Sequence, residues 1–134
     1  MNVFLDTNVI ASATATRGLC SDVLRSVVEF HEWVVSEHLI EEVRRVLKDK
    51  FNVSPEIIAD LVWLLRQDTR MAESLPLANL PLKDPADVTM VSAAIHGNAE
   101  ILVTGDKEIL ALKHVGPLKI LTPRQFWEIE KNGG

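Results

Sequence analysis

Val3-Phe4-Leu5-Asp6-Thr7-Asn8 opens the chain with three apolar residues followed at once by a carboxylate. Three residues are too few for a buried helix, and Val and Phe favour extended backbone, so the run reads as a strand. No polar residue alternates with them, which is the pattern of a strand covered on both faces. The arrangement returns later, where Ile101-Leu102-Val103 leads into Thr104-Gly105-Asp106. Trp33-Val34-Val35 and Leu118 to Leu121 are two further short apolar runs, and residues 69–74 form a weaker one. That makes five predicted strands.

Helical patterns separate them. Val23, Leu24, Val27, Val28 and Phe30 recur at helical spacing. Leu39, Ile40, Val43, Val46 and Leu47 follow i, i+1, i+4, i+7 and i+8, an amphipathic helix. Ser54-Pro55 and Asp84-Pro85 each place a capping residue before a proline at the first helical position. Thr122-Pro123-Arg124-Gln125 has the form of a capping box. Strands alternating with amphipathic helices predict an α/β fold: three layers, α/β/α, around a central, mainly parallel five-stranded sheet. Such sheets bind ligands beyond the carboxyl ends of their strands.

Length and composition narrow the function classes. The chain has 134 residues, enough for one domain spanning 1–134 and no more. Hydrophobic residues make up 47% and charged residues 25%, which excludes a disordered chain. Cys20 is the sole cysteine, so no intrachain disulfide forms and a reducing, cytoplasmic setting is expected. The four histidines are scattered, which argues against zinc. An acid at position 6 interrupts any leader, so no signal peptide is read, and no apolar run suits a membrane span. Fourteen basic against nineteen acidic residues give a net charge of −5, which speaks against binding held by non-specific phosphate attraction.

The acids themselves form a pattern. Asp6 and Asp106 each follow a strand and share one rim of the predicted sheet; either alone could be only a helix cap. At about 100° per residue, Glu42 falls at the edge of its helix's apolar stripe, whereas Glu41 points to solvent. A half-buried lone carboxylate needs a partner, either an ion pair or a bound cation. Asp84 is a natural cap, and an acid at Asp87 suits the third helical position. Asp87 also shares a face with Val91 and Ala94, which turns it inward. Carboxylates gathered in one pocket repel one another, and a hard divalent cation relieves this. An all-oxygen set favours one or two Mg²⁺ or Mn²⁺, and the chemistry of such ions is water attack on a phosphoester.

These fragments, in this order, resemble the PIN domain family, whose members include VapC-type toxins of toxin–antitoxin pairs. The likeness spans nearly the whole chain: Val3-Phe4-Leu5-Asp6-Thr7-Asn8-Val9, the helix of Leu39 to Leu47 with Glu42, Asp87 with Ala93-Ala94, and Leu102-Val103-Thr104-Gly105-Asp106. It implies an endoribonuclease dependent on Mg²⁺ or Mn²⁺ that leaves a 5′-phosphate and a 3′-hydroxyl, commonly a homodimer silenced by an antitoxin protein. Asp6, Glu42, Asp87 and Asp106 would be the catalytic, metal-holding residues. Thr7, Asn8 and Thr104 would support them, with Asp84 beside them as a cap.

Two other classes compete for the same residues. A PIN-like module could bind RNA or protein without cutting. An aspartyl-nucleophile phosphatase would want a second acid two residues after Asp6, where this chain has Asn8, which cannot donate a proton. RNA contact would fall to Arg44, Arg45, Lys48 and Lys50 on the outer face of the Glu42 helix and to Arg17 in a glycine-containing loop. All of these serve equally as solvated surface charge. Trp33, Trp63 and Trp127 sit in apolar patterns and are expected in the core or at an interface. The helix of Ile57 to Leu65 is apolar on more than one side, which predicts a dimer or antitoxin surface.

Overall fold

The computed structural model describes residues 1–133. In chain order the elements are β1 (Asn2–Leu5), α1 (Thr7–Ala15), α2 (Leu19–Phe30), β2 (Glu32–Ser36), α3 (Glu37–Asp49), α4 (Pro55–Gln67) and β3 (Arg70–Ala72). Then come α5 (Pro85–His96), β4 (Ile101–Val103), α6 (Lys107–Leu110), β5 (His114–Val115), β6 (Leu118–Leu121) and α7 (Pro123–Lys131). Among the described residues no helix is long and apolar enough to cross a membrane.

The strands lie in the order β3-β2-β1-β4-β6-β5. All neighbours pair in parallel except β5 with β6. β1 is central: Phe4 faces Val34 on one side and Leu102 on the other. Val3, Phe4 and Leu5 are all fully buried, as are Leu102 and Val103. Successive side chains of a strand point to opposite faces, so this continuous burial means that both faces of the sheet are covered. The α/β class and the parallel core follow the sequence reading.

The sheet has six strands, one more than expected. The additional one, β5, is only two residues long and pairs antiparallel with β6 at the edge. It is set up by two left-handed residues, Lys113 (φ 62°) and Gly116 (φ 56°), which turn the chain back on itself. Two residues carry no periodicity, and Lys113 is not a residue type that announces a left-handed turn.

The chain runs outward from β1 through β2 to β3, then returns across β1 to β4 on its other side. The strand order therefore reverses between β1 and β4. In open parallel sheets the crevice at that reversal, beyond the carboxyl ends, is where ligands are held. Asp6 and Asp106 follow the two strands that border it.

Gly97 ends α5 under β2 and β3. A Cβ there would drive into Val34 Cγ1 and come within 2.9 Å of Ala72 Cβ, both in the buried core. Gly97→Ala is expected to cost about 1–3 kcal/mol of stability through overpacking, measured as a lower midpoint in urea unfolding.

Candidate metal and nuclease site

Asp6, Glu42, Asp87 and Asp106 line one pocket of about 370 Å³, together with Thr7, Asn8 and Asp84. A larger hollow of about 600 Å³ lies between α2 and α7, but its buried polar groups satisfy one another: Ser26 Oγ and His31 Nε2 both meet Glu130 Oε1. The carboxylate pocket is the one at the strand ends.

Asp6 is the deepest of the four acids, 6% exposed. Its backbone continues the sheet, the N–H donating to Val103 O at 2.9 Å, and its carbonyl accepts from Val9 and Ile10 as α1 begins. Its carboxylate makes no capping hydrogen bond to α1. The side chain is therefore free of the role that would explain an acid there structurally. Thr104 Oγ1 donates to Asp6 Oδ2 at 2.5 Å and accepts from the Asp106 N–H at 3.0 Å. One fully buried hydroxyl thus ties the two strand-end acids together. Burial holds the Asp6 carboxyl above its ordinary range; the Thr104 hydrogen bond and nearby N–H groups of Thr7 and Asn8 oppose this, and Asp106 adds repulsion.

Asp106 and Asp84 do act as caps. Asp106 Oδ1 accepts from the N–H groups of Glu108 and Ile109 at 2.9 and 3.1 Å, and Asp84 Oδ1 accepts from Ala86 at 2.9 Å. Capping uses one oxygen of each carboxylate. Asp87 caps nothing and points into the pocket from the first turn of α5. Its carboxyl is pushed up to about 6, by burial first and then by repulsion from Asp106, Asp84, Asp6 and Glu108. Glu42 is 21% exposed and carries the ion pair allowed for it in the sequence: Arg45 Nη2 at 3.3 Å and His38 Nδ1 at 3.5 Å. Glu41 pairs outward with Arg44.

Thr7 Oγ1 is buried with no hydrogen-bond partner. An unpartnered hydroxyl and four carboxylates, two held above their ordinary range, form an all-oxygen donor set short of positive charge. That fits Mg²⁺ or Mn²⁺ in kind. Among the described residues no three His, Cys, Asp or Glu side chains meet closely enough to hold an ion between them.

The structure places the other sequence candidates unevenly. Arg45 and Lys50 line the pocket; Arg44 and Lys48 lie in an adjoining groove; Arg17 borders neither. Asp49 also lines the pocket, and the sequence reading missed it. The signal was there: Glu42, Val46 and Asp49 stand at i, i+4 and i+7, one face of α3. Trp33 is buried and Trp127 half-buried, whereas Trp63 is 63% exposed and is not a core residue.

The molecule is thus an α/β protein with a mainly parallel sheet and four carboxylates at the point where its strand order reverses. The family model described as "PIN domain" matches residues 2–108, and the chain belongs to that family. Solved structures agree on the fold. VapBC2 from Rickettsia felis, bound to a DNA fragment from its promoter, is 17% identical with a TM-score of 0.62, covering 91% of this chain and 98% of that one. VapC20 of Mycobacterium tuberculosis, a sarcin-ricin loop cleaving toxin, is 14% identical with a TM-score of 0.62, covering 87% and 98%. FitAcB from Neisseria gonorrhoeae is 15% identical with a TM-score of 0.55, covering 90% and 97%. No curated protein matches the sequence.

Thr104→Val keeps the shape but leaves Asp6 Oδ2 and the Asp106 N–H without their partner; it is expected to cost about 2 kcal/mol at neutral pH, read by urea unfolding, with Thr104→Ser costing less. Asp87 binds its proton more tightly folded than unfolded, so its contribution to stability falls as pH rises from about 4 to about 6 and stays lost above. Asp87→Asn is therefore expected to stabilise the metal-free protein at pH 7.5, by about 1 kcal/mol after allowing for solvent screening. The gain should vanish near pH 4, followed as Tm in EDTA.

Proposed function

We propose that this PIN domain is a metal-dependent endoribonuclease that hydrolyses RNA phosphodiester bonds, and the toxin of a toxin–antitoxin pair. The observation that carries the reading is the convergence of Asp6, Glu42, Asp87 and Asp106 in one pocket at the reversal point of the sheet. Membership of the PIN family and likeness in fold to toxin structures, one of them a sarcin-ricin loop cleaving toxin, support it.

Asp6, Glu42, Asp87 and Asp106 would hold one or two Mg²⁺ or Mn²⁺. Such a cation supplies a more acidic water and positive charge beside the phosphate. The rest is done by the chain. Asp6 is fixed at the floor by β1 and Thr104, so a ligand on it has one position. Thr104 also sets Asp106 through its backbone, which couples the two strand-end acids. Asp87 enters the pocket from the first turn of α5 with no capping role to hold it, so its carboxylate is free to take part at the site. Thr7 and Asn8 stand at the start of α1, where their backbone N–H groups favour the ionised Asp6 carboxylate and so support it as a ligand.

A toxin needs a partner that silences it, and a soluble cytoplasmic setting where RNA is exposed. Ile57 and Trp63 on α4 are exposed apolar side chains, while Ile58, Leu61, Val62 and Leu65 of the same helix enter the core. This outer face suits an antitoxin or a second copy in a homodimer.

The test is cleavage of single-stranded RNA by wild type beside Asp6→Asn, each with Mn²⁺ and with EDTA. Wild type with Mn²⁺ is expected to cut, EDTA to stop it, and Asp6→Asn to lose at least about a hundredfold in rate, the order lost when transition-state charge goes unmatched. Equal cutting by both proteins would mean a contaminating nuclease and would overturn the assignment. RNA held but never cut, under any metal, would favour the non-catalytic binding module.

A further inference from the structure

The carboxylate pocket does not stand alone. A second groove, about 400 Å³, runs along the outer side of α3 and shares Glu42, Arg45 and Asp49 with it. Arg44, Lys48, His38 and Glu41 complete its lining, so three permanent cations there stand beside three acids. The two hollows adjoin at Arg45, whose guanidinium lies 3.3 Å from the pocket acid Glu42. Arg44 and Arg45 are tied only by exposed ion pairs at 3.7 and 3.3 Å, to Glu41 and Glu42. Exposed pairs of this kind are worth little and exchange readily for a better anion. A phosphodiester is such an anion, since guanidinium binds it through a pair of charge-assisted hydrogen bonds. Among the described residues Lys48 makes no ion pair, and it sits one turn beyond Arg44 on the same helix.

We infer that the α3 groove carries the nucleotides flanking the scissile phosphate, and that Arg45 at its mouth moves from Glu42 to a backbone phosphate when RNA binds. This rests on the ribonuclease reading and adds a direction to it: the strand leaves the pocket along α3. The pocket itself is a poor site for a polyanion, with Asp6, Glu42, Asp49, Asp84, Asp87 and Asp106 around it. The cations that offset them stand along one helix. Arg45 acts here as a substrate-positioning residue, and its exchange between Glu42 and phosphate makes occupancy of the groove felt at a pocket carboxylate.

The experiment measures binding separately from cleavage. Asp6→Asn protein, with Mn²⁺ present to neutralise the remaining pocket acids and cleavage slowed, is titrated into a short fluorescein-labelled single-stranded RNA, and anisotropy is followed across a series of salt concentrations. Arg45→Ala and Lys48→Ala are each expected to weaken binding about three- to tenfold and to lower the salt slope by about one. Arg124→Ala, on α7 away from the groove, should change neither. Glu42→Gln should tighten binding more beside Arg45 than beside Arg45→Ala, because only the former has a guanidinium to release. If wild type cuts RNA but the α3 variants bind like Arg124→Ala, the groove is not the path and the ribonuclease reading survives. Equal gains from Glu42→Gln in both backgrounds would remove the exchange of Arg45. Protein that neither binds nor cuts RNA overturns both.

Discussion

The site depends on one unfavourable act: a carboxylate is buried at the end of the central strand. Asp6 is nearly inaccessible, yet its side chain does not cap the helix that follows it. Burying an ionised acid without compensation is among the costliest things a fold can do. The compensation available from the chain is small: one hydroxyl hydrogen bond from Thr104 and two nearby N–H groups, set against repulsion from Asp106. The remainder must come from a proton or a cation. A fold that keeps such a group in the face of its cost is organised around what that group binds.

Thr104 shows how the sheet enforces this. β4 pairs with β1 in parallel, Leu5 opposite Val103, so the residues just beyond each strand emerge side by side. Parallel pairing brings equivalent ends together; an antiparallel neighbour would have put Asp106 at the other end of β1. Thr104 then uses both capacities of a hydroxyl, donating to one acid's side chain and accepting from the other's backbone. The division of labour among the acids follows. Asp84 and Asp106 each hold a helix N-terminus with one oxygen, and Asp6 and Asp87 hold none. The two acids released from structural work are the two whose carboxyl groups burial and crowding push upward.

Much of this was legible before any coordinates. Asp6 and Asp106 could be placed because each ends an apolar run, and Glu42 and Asp87 because helical periodicity turned them toward the core. Those are strong signals, since strand ends and helix faces are fixed by backbone geometry. The lost parts rest on weaker ones. The two-residue β5 owes its place to left-handed backbone at Lys113, which no pattern marks. Asp49 carries the i+7 spacing from Glu42 but sits in the last turn of α3, where an acid reads as a surface residue opposing the helix dipole. Trp63 lies in an apolar run that is real, but the run covers two faces of α4, and periodicity alone does not say which tryptophan faces outward.

Charge was the one feature of the sequence that spoke against nucleic acid, and its distribution answers it. Setting aside Asp6, Glu42, Asp87 and Asp106, the 19 acids fall to 15 against 14 basic residues, close to balance. The four acids of that set account for most of the excess, and six of the nineteen acids line the one pocket. Two divalent cations in that pocket would bring the net charge from −5 to −1, with Arg44, Arg45 and Lys48 standing beside it along α3. Attraction for a polyanion would then be conditional on the site being loaded, because the same carboxylates that hold the ion repel phosphate while it is absent. A basic protein would bind RNA whether or not it could cut. On the ribonuclease reading, an acidic one whose excess acid is the site itself would bind once that site is loaded.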